Sequence, residues 1–321
     1  MLIQTVLGPI QPDAVTGPVL PHEHLALDLR TEADAGGMLS GRHAAAVAAE
    51  LADARERADL SLVIDQTCRG MGRDPDTLQT IAADSGVPVV ASTGWYYQRF
   101  HPEGEPGPDL DAATELLLTD LRVGIDGTDV CAGLIGEIGT HGPAPTSAER
   151  TSLRAAGRAS ARTGAPIATH AHLGIGALGQ LDVLADSGAD LARVCVGHQD
   201  LIDDVDQHAR IADAGAYLAF DTVGKESYQG DDVRVRMLLA LLEQGLGAHL
   251  LLSNDISRHS YLRSEGGQGY AHVLCPFADR LRAAGVDGAT LTMLYRDNAL
   301  RWLTGSEDIG PAAALRIGVR S

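Results

Sequence analysis

Pro18-Val19-Leu20-Pro21-His22-Glu23-His24-Leu25 is an apolar run that turns polar at its carboxyl end. Seven further apolar or β-branched runs follow, at residues 60–67, 87–94, 132–139, 166–172, 194–200, 217–222 and 250–255. Helical stretches separate them, which predicts repeated βα units around a parallel sheet. In the stretch 42–58, Val47, Leu51, Ala54 and Ala58 share one helical face while Arg55, Glu56 and Arg57 lie elsewhere, so this helix should cover the sheet. Residues 289–303 likewise align Leu291, Leu294, Tyr295 and Trp302, with Gly305 where a helix stop belongs. Eight such units in 321 residues, uninterrupted by a Pro/Gly/Ser-rich linker, predict an α/β fold of one domain, a closed (β/α)8 TIM barrel over residues 1–304. Residues 305–321 read as a C-terminal tail. The alternative is an open, doubly wound sheet.

The polar strand ends carry the chemistry. Strand one ends in His22-Glu23-His24, strand four in Glu137, strand five in His170, strand six in His198 and strand eight in Asp255. In a barrel these ends converge on one face, so these side chains would meet in a space too small to leave polar groups unpaired. A metal site resolves that conflict. Alternation turns His22 and His24 to one side and Glu23 to the other, which makes His-x-His a two-ligand grip. Four histidines and two carboxylates exceed the needs of one tetrahedral ion and suit two ions sharing a bridge. Glu137 is the natural bridge, since its two oxygens can each hold an ion. The bland alternatives are histidines hydrogen-bonded among loops and a buried Glu137 paired with an arginine.

Composition excludes other classes. Apolar residues make up 45% of the chain and charged residues 21%, the balance of a globular protein with a sizeable core. Lys+Arg of 25 against Asp+Glu of 43 leaves −18, a field that repels phosphate backbones and anionic membranes. No nucleic-acid or membrane partner is expected. The amino terminus lacks a signal-peptide pattern and no window is apolar enough to span a bilayer, so a cytoplasmic protein is expected. Cys68, Cys131, Cys195 and Cys275 have no C-x-x-C spacing and read as reduced thiols.

Further candidates surround the strand ends. Lys225 is the sole lysine in the chain; it follows strand seven and could meet an anionic substrate group, or be an ordinary loop lysine. Arg258 and His259, just past Asp255, have a similar claim, and Tyr96 and Tyr97 could wall the pocket. His172 shares a face with His170 and is a candidate substrate contact, whereas His43, His208, His249 and His272 read as packing or surface residues. Segments 99–109 and 228–233 are too long for tight turns and are candidate substrate loops. Gly174-Ile175-Gly176-Ala177-Leu178-Gly179, with Asp200 beyond it, fits a dinucleotide fingerprint. On the fifth of eight strands, those glycines read better as a barrel loop above the metals.

Leu20-Pro21-His22-Glu23-His24-Leu25, Ile135-Gly136-Glu137-Ile138-Gly139, Thr169-His170, Val196-Gly197-His198-Gln199-Asp200 and Leu252-Ser253-Asn254-Asp255-Ile256 resemble, in the same order, the metal-binding motifs of the phosphotriesterase family within the amidohydrolase superfamily. Matches at Thr93-Gly94-Trp95-Tyr96-Tyr97, Phe220-Asp221-Thr222-Val223-Gly224-Lys225 and Gly266-Gly267-Gln268-Gly269-Tyr270 extend the resemblance over nearly the whole chain. It implies that His22, His24 and Asp255 hold a more buried ion, that His170 and His198 hold a more exposed one, and that Glu137 bridges them. The family's organophosphate hydrolases and lactonases bridge with a carboxylated lysine on strand four; this chain has glutamate there, and Lys225 cannot replace it.

The implied cofactors are two divalent ions, zinc first, with manganese or cobalt as alternatives. A bridging hydroxide would attack a lactone, carboxylic ester, amide or phosphoester, and Asp255 would carry the proton to the leaving group. Lys225 joins Asp255 as a catalytic candidate. The expected partner is a small-molecule substrate with an acidic group, and the resemblance is compatible with a homodimer. The rival readings are a metal-stabilised binding scaffold without turnover and a dinucleotide-dependent oxidoreductase.

Overall fold

The apolar runs become eight strands in a computed structural model that describes residues 1–313 and Ile317. They are β1 (Val19–Glu23), β2 (Leu62–Asp65), β3 (Val89–Val90 continued by Ser92–Thr93), β4 (Leu134–Thr140), β5 (Ile167–Ala171), β6 (Val194–Val196), β7 (Tyr217–Phe220) and β8 (Leu250–Leu252). Each pairs in parallel with the next, from Leu20 opposite Val63 to Phe220 opposite Leu252. This is the consecutive order of a TIM barrel. An open sheet would leave β8 and β1 as free edges; here they are joined. The Asp255 N–H donates to His22 O at 3.2 Å. The buried Glu23 carboxylate accepts from Ser253 Oγ (2.8 Å), Asn254 N (2.9 Å), Asn254 Nδ2 (2.8 Å) and Ile256 N (2.9 Å). The outward turn predicted for Glu23 thus gives it a structural task, closing the barrel.

Strand alternation divides the core in two. Val19, Leu62, Ile64, Leu134 and Leu251 fill the barrel interior, while Leu20, Val63, Ile135 and Leu252 face the helical layer. Each such side chain, when fully buried, contributes roughly 1.5–3 kcal/mol. Helix α1 (Ala44–Ala58) buries Val47, Leu51, Ala54 and Ala58 as predicted. The last helix is continuous over Gly288–Thr292, a widened π-type segment Met293–Asp297 and Asn298–Thr304, and Gly305 ends it at φ 64°, a left-handed conformation that glycine adopts without penalty. Trp302 from this helix plugs the bottom of the barrel, its Nε1 donating to Arg193 O (3.1 Å) and Ile167 O (3.2 Å).

The beginning of the expected tail packs against the barrel. Ile309 is buried and Ala313 N donates to Thr16 O at 2.9 Å; residues 314–316 and 318–321 lie outside the described residues. No helix among the described residues is long and apolar enough to cross a membrane.

Candidate metal centre

At the carboxyl ends of the strands, His22, His24, Glu137, His170, His198 and Asp255 meet, and all six are buried. His22 lies in β1 and His24 one residue past its end, and both present donor atoms to the same group with Glu137. His22 Nε2 lies 3.7 Å from Glu137 Oε2 and 4.0 Å from Asp255 Oδ1; His24 Nε2 lies 3.3 Å from Glu137 Oε1 and 3.2 Å from Asp255 Oδ1. On the other side, Glu137 Oε2 lies 3.1 Å from His170 Nδ1 and 3.8 Å from His198 Nε2. Glu137 therefore stands between two histidine pairs. His22, His24 and Glu137 form one group of donor atoms within 4.8 Å of each other, and Glu137, His170 and His198 a second.

Two further ligand-type residues lie past the strands they were expected to end. β6 stops at Val196 and β8 at Leu252, so His198 and Asp255 lie beyond their strands in left-handed backbone, at φ 59° and 51°. Such a conformation costs a non-glycine residue about 1–3 kcal/mol and persists only where the surroundings hold it. It aims both side chains at the barrel axis. The barrel-end location was legible in the sequence; the backbone turn was not.

The donor set fits cations better than it fits itself. His22 Nε2 is buried without any hydrogen-bond partner, an arrangement that ordinarily costs about 1–3 kcal/mol. His170 Nδ1 and His198 Nε2 face each other at 2.7 Å, so only one can carry the proton between them. Donor atoms bound at about 2.1 Å to one tetrahedral ion stand roughly 3–3.5 Å apart, which is the spacing of the closer contacts here.

Burial opposes charge on each imidazole, and neighbouring carboxylates overrule it at three. Asp221 and Glu137 hold His22 well above the ordinary imidazole value, hydrogen bonding to Asp255 and Glu137, which accept, pushes His24 up to about 9, and Asp221 raises His198. His170 falls to about 4, because burial and the neighbouring His198 outweigh Glu137. Glu137 and Asp255 resist the upward push of burial and stay below the ordinary carboxylate range, Glu137 chiefly through His22 and Asp255 chiefly through Lys225.

Sequence reasoning missed the residues that orient these imidazoles. Asp221, immediately after β7, accepts from His22 Nδ1 (2.6 Å) and His198 Nδ1 (2.8 Å), and Thr67 Oγ1 lies 2.9 Å from His24 Nδ1. Partners of this kind fix ring orientation and tautomer. A signal existed, because strand seven alone of strands four to eight had no polar end assigned, and Phe220-Asp221-Thr222 supplies one.

Above the donors opens a cavity of about 370 Å³ lined by Tyr96, Tyr97, His172, Lys225 and Arg258 among the predicted residues. Tyr96 Oη lies 3.3 Å from His170 Nδ1 and 3.4 Å from its Nε2. His172 packs at a tilt against His141, ring centroids 4.1 Å apart. Lys225 is no solvated loop lysine: it is buried, pairs with Asp255 Oδ2 and donates to Ser257 Oγ at 3.2 Å. Arg258 pairs with Asp34 at 2.6 Å. His259 is a correction. It is not among the cavity-lining residues but stacks on His43 at 5.5 Å, because the short helical turn His259–Tyr261 carries it off the rim. Arg99, Phe100 and Tyr228 line the cavity as well, from the two segments expected to hold substrate loops.

The glycine-rich turn is a packing device. A Cβ on Gly174 would lie 2.6 Å from Ile202 Cγ2, and Asp200, which a dinucleotide site would need for ribose, is buried against Arg234 Nε at 2.6 Å.

Polar groups converge on the mouth of a closed barrel in two donor groups that could each hold a cation. Comparison with known proteins makes this specific. The model of the phosphotriesterase family matches residues 1–303, and the chain belongs to that family. It is 38% identical to the phosphotriesterase homology protein of Escherichia coli (strain K12), across 88% of this chain and 96% of that one. The crystal structure of the E. coli protein with phosphate in its active site superposes with a TM-score of 0.87, covering 90% of this chain and 99% of that chain at 37% identity. An N-acetyltaurine hydrolase of Salmo salar is 28% identical across 94% of this chain and 97% of its own length. A lactonase from Listeria monocytogenes superposes with a TM-score of 0.86 at 25% identity, over 95% of this chain and 100% of that one. The protein is accordingly a hydrolase.

Proposed function

We propose that His22, His24 and Asp255 hold one divalent cation, that His170 and His198 hold a second, and that Glu137 bridges them. The observation that carries this reading is His22 Nε2, buried without a hydrogen-bond partner and directed between Glu137 and Asp255. Ions bound there would supply an acidified shared water and a Lewis acid for the scissile carbonyl or phosphoryl oxygen. Zinc is the ion to test first, since imidazole donors suit it. The four free cysteines favour a reducing, cytoplasmic setting.

The chain's own residues supply the rest. Lys225 fixes Asp255 Oδ2, leaving Oδ1 toward His24, oriented to accept a proton and return it to the leaving group. An ammonium has three donors; two of those on Lys225 are engaged by Asp255 and Ser257, and the third is available to a substrate oxygen in the cavity. At the rim stand Arg99 and Arg258. We assign as substrate a small carboxylic-acid derivative, an amide, ester or lactone, that bears an anionic group. The names of the relatives agree with this: one is a lactonase, and the other acts on N-acetyltaurine, an amide carrying a sulfonate.

The test is a panel of lactones, N-acyl amino acids, N-acyl aminosulfonates and phosphate mono-, di- and triesters on zinc- and manganese-reconstituted protein. Acidic amides or lactones should turn over faster than neutral isosteres, and chelation should abolish turnover. Arg99→Ala should raise KM for the acidic substrate about tenfold, roughly 1.4 kcal/mol, with kcat and metal content unchanged. Preferential hydrolysis of neutral phosphotriesters would overturn the assignment.

A further inference from the structure

Asp221 touches both halves of the metal centre, and its two oxygens do so unequally. Oδ2 accepts from His22 Nδ1 at 2.6 Å. Oδ1 accepts from His198 Nδ1 at 2.8 Å and also from the His198 backbone N–H at 3.0 Å. The carboxylate is fully buried, and its backbone N–H is held by Asp200 Oδ1 at 3.3 Å. Gly197 makes room for it, since a Cβ there would lie 3.3 Å from Asp221 Oδ2 and 2.4 Å from Thr169 O.

An ionised carboxylate only accepts. Both Nδ1 atoms must therefore carry protons, so that in the neutral ring a cation binds, the Nε2 lone pair is the one left facing the site. His22 and His198 belong to different proposed cation subsites. We infer that Asp221 is a positioning residue that sets the tautomer of one histidine in each subsite, and that Asp221→Asn disables the His22 subsite while sparing the His198 subsite. This rests on the two-cation reading above.

The selectivity follows from the unequal oxygens. An asparagine amide has one oxygen and one NH2. The oxygen must take the Oδ1 position, because a backbone N–H that cannot change its role points there. The NH2 then occupies the Oδ2 position and donates to His22 Nδ1. His22 shifts its proton to Nε2, the atom facing Glu137 and Asp255, and loses the lone pair that would hold a cation. The more enclosed ion is lost and the more exposed one stays. General loosening of the site would weaken both together.

The experiment titrates zinc ion into metal-free wild-type and Asp221→Asn protein, with calorimetry for affinity and elemental analysis for stoichiometry. The wild type should take up two equivalents. Asp221→Asn should keep one within about twofold of its original affinity and lose the other by about 100-fold, the upper range for orienting partners of metal ligands. Adding His22→Ala to Asp221→Asn should change nothing further, and adding His198→Ala should remove the remaining equivalent. Two equivalents at wild-type affinity in Asp221→Asn, equal weakening of both, or a remaining ion that survives loss of His198 would overturn the inference. Fewer than two equivalents in the wild type would overturn the two-cation reading itself, before any variant is compared. An independent reading uses unmutated, zinc-loaded protein: long-range 1H–15N spectra should show protons on Nδ1 of both His22 and His198, and a proton on Nε2 of either would contradict the inference.

Discussion

The two ends of the barrel both bury charged and polar side chains, and they satisfy them in opposite ways. At the bottom, Arg296 is almost fully buried, and it donates to the carbonyls of Val15 (2.8 Å), Ile309 (3.0 Å), Gly310 (3.1 Å) and Pro311 (3.2 Å). Arg193 reaches Trp302 O and Leu303 O at 2.8 and 2.6 Å, and Asn298 Nδ2 reaches Gly247 O and Leu250 O, both at 2.8 Å. Apart from Arg296 Nη1, which pairs with Asp297 Oδ1 at 2.7 Å, these donors end on backbone carbonyls, so the last helix, the start of the tail and the strand starts are locked together. At the top, His22 Nε2 ends on nothing and two imidazole nitrogens face each other. Asn298 Oδ1 at the bottom is also buried without a partner, but it stands alone, whereas His22 Nε2 faces a cluster of other donor atoms; an unpaired buried atom points to chemistry where several donors converge on it.

That contrast can be broken by exchanging the roles of the two ends. The largest effect is expected for Glu137→Gln at the top: metal analysis should show loss of bound ion, and turnover should fall on the order of 1,000-fold or more, while the melting temperature of the metal-free protein stays nearly constant. A large drop in that temperature would mean that the top is as structural as the bottom. Next comes Arg296→Met, which leaves several buried carbonyls without donors and should cost about 3 kcal/mol or more in urea unfolding, with zinc affinity unchanged. Altered zinc affinity in this variant would show that the two ends are coupled. The smallest effect is expected for Trp302→Phe, which deletes one N–H shared by two carbonyls and leaves a small void where the buried indole was; it should cost about 2 kcal/mol with KM and kcat unaffected.

The same contrast explains which residues the sequence exposes. His22, His24, Glu137 and His170 can be read directly because a polar ligand-type residue at the end of an apolar run has few structural excuses. His198 and Asp255 are legible by type and order, but their strands end earlier than the apolar pattern suggests, and it is the left-handed turn that aims them inward. Asp221 and Thr67 are harder to find, because a residue that serves a ligand leaves only a polar atom beside a strand end. Lys225 shows the limit from the other side: its uniqueness singles it out, yet its ion pair with Asp255 depends on how the loop after β7 folds back over β8. His259, adjacent in sequence to a cavity residue, is turned away from the cavity by one short helical turn.

By itself the sequence determined the repeat of strand and helix, the closed barrel that this repeat implies, and the chemical types gathered at its mouth, because periodicity and composition act locally and are written residue by residue. Tertiary structure alone decided which nitrogen of each histidine faces the centre, that Glu23 closes the seam between β8 and β1, and that one aspartate serves both halves of the site. Those outcomes depend on distances between groups as far apart in the chain as His22 and Asp221, which are set only when the barrel closes.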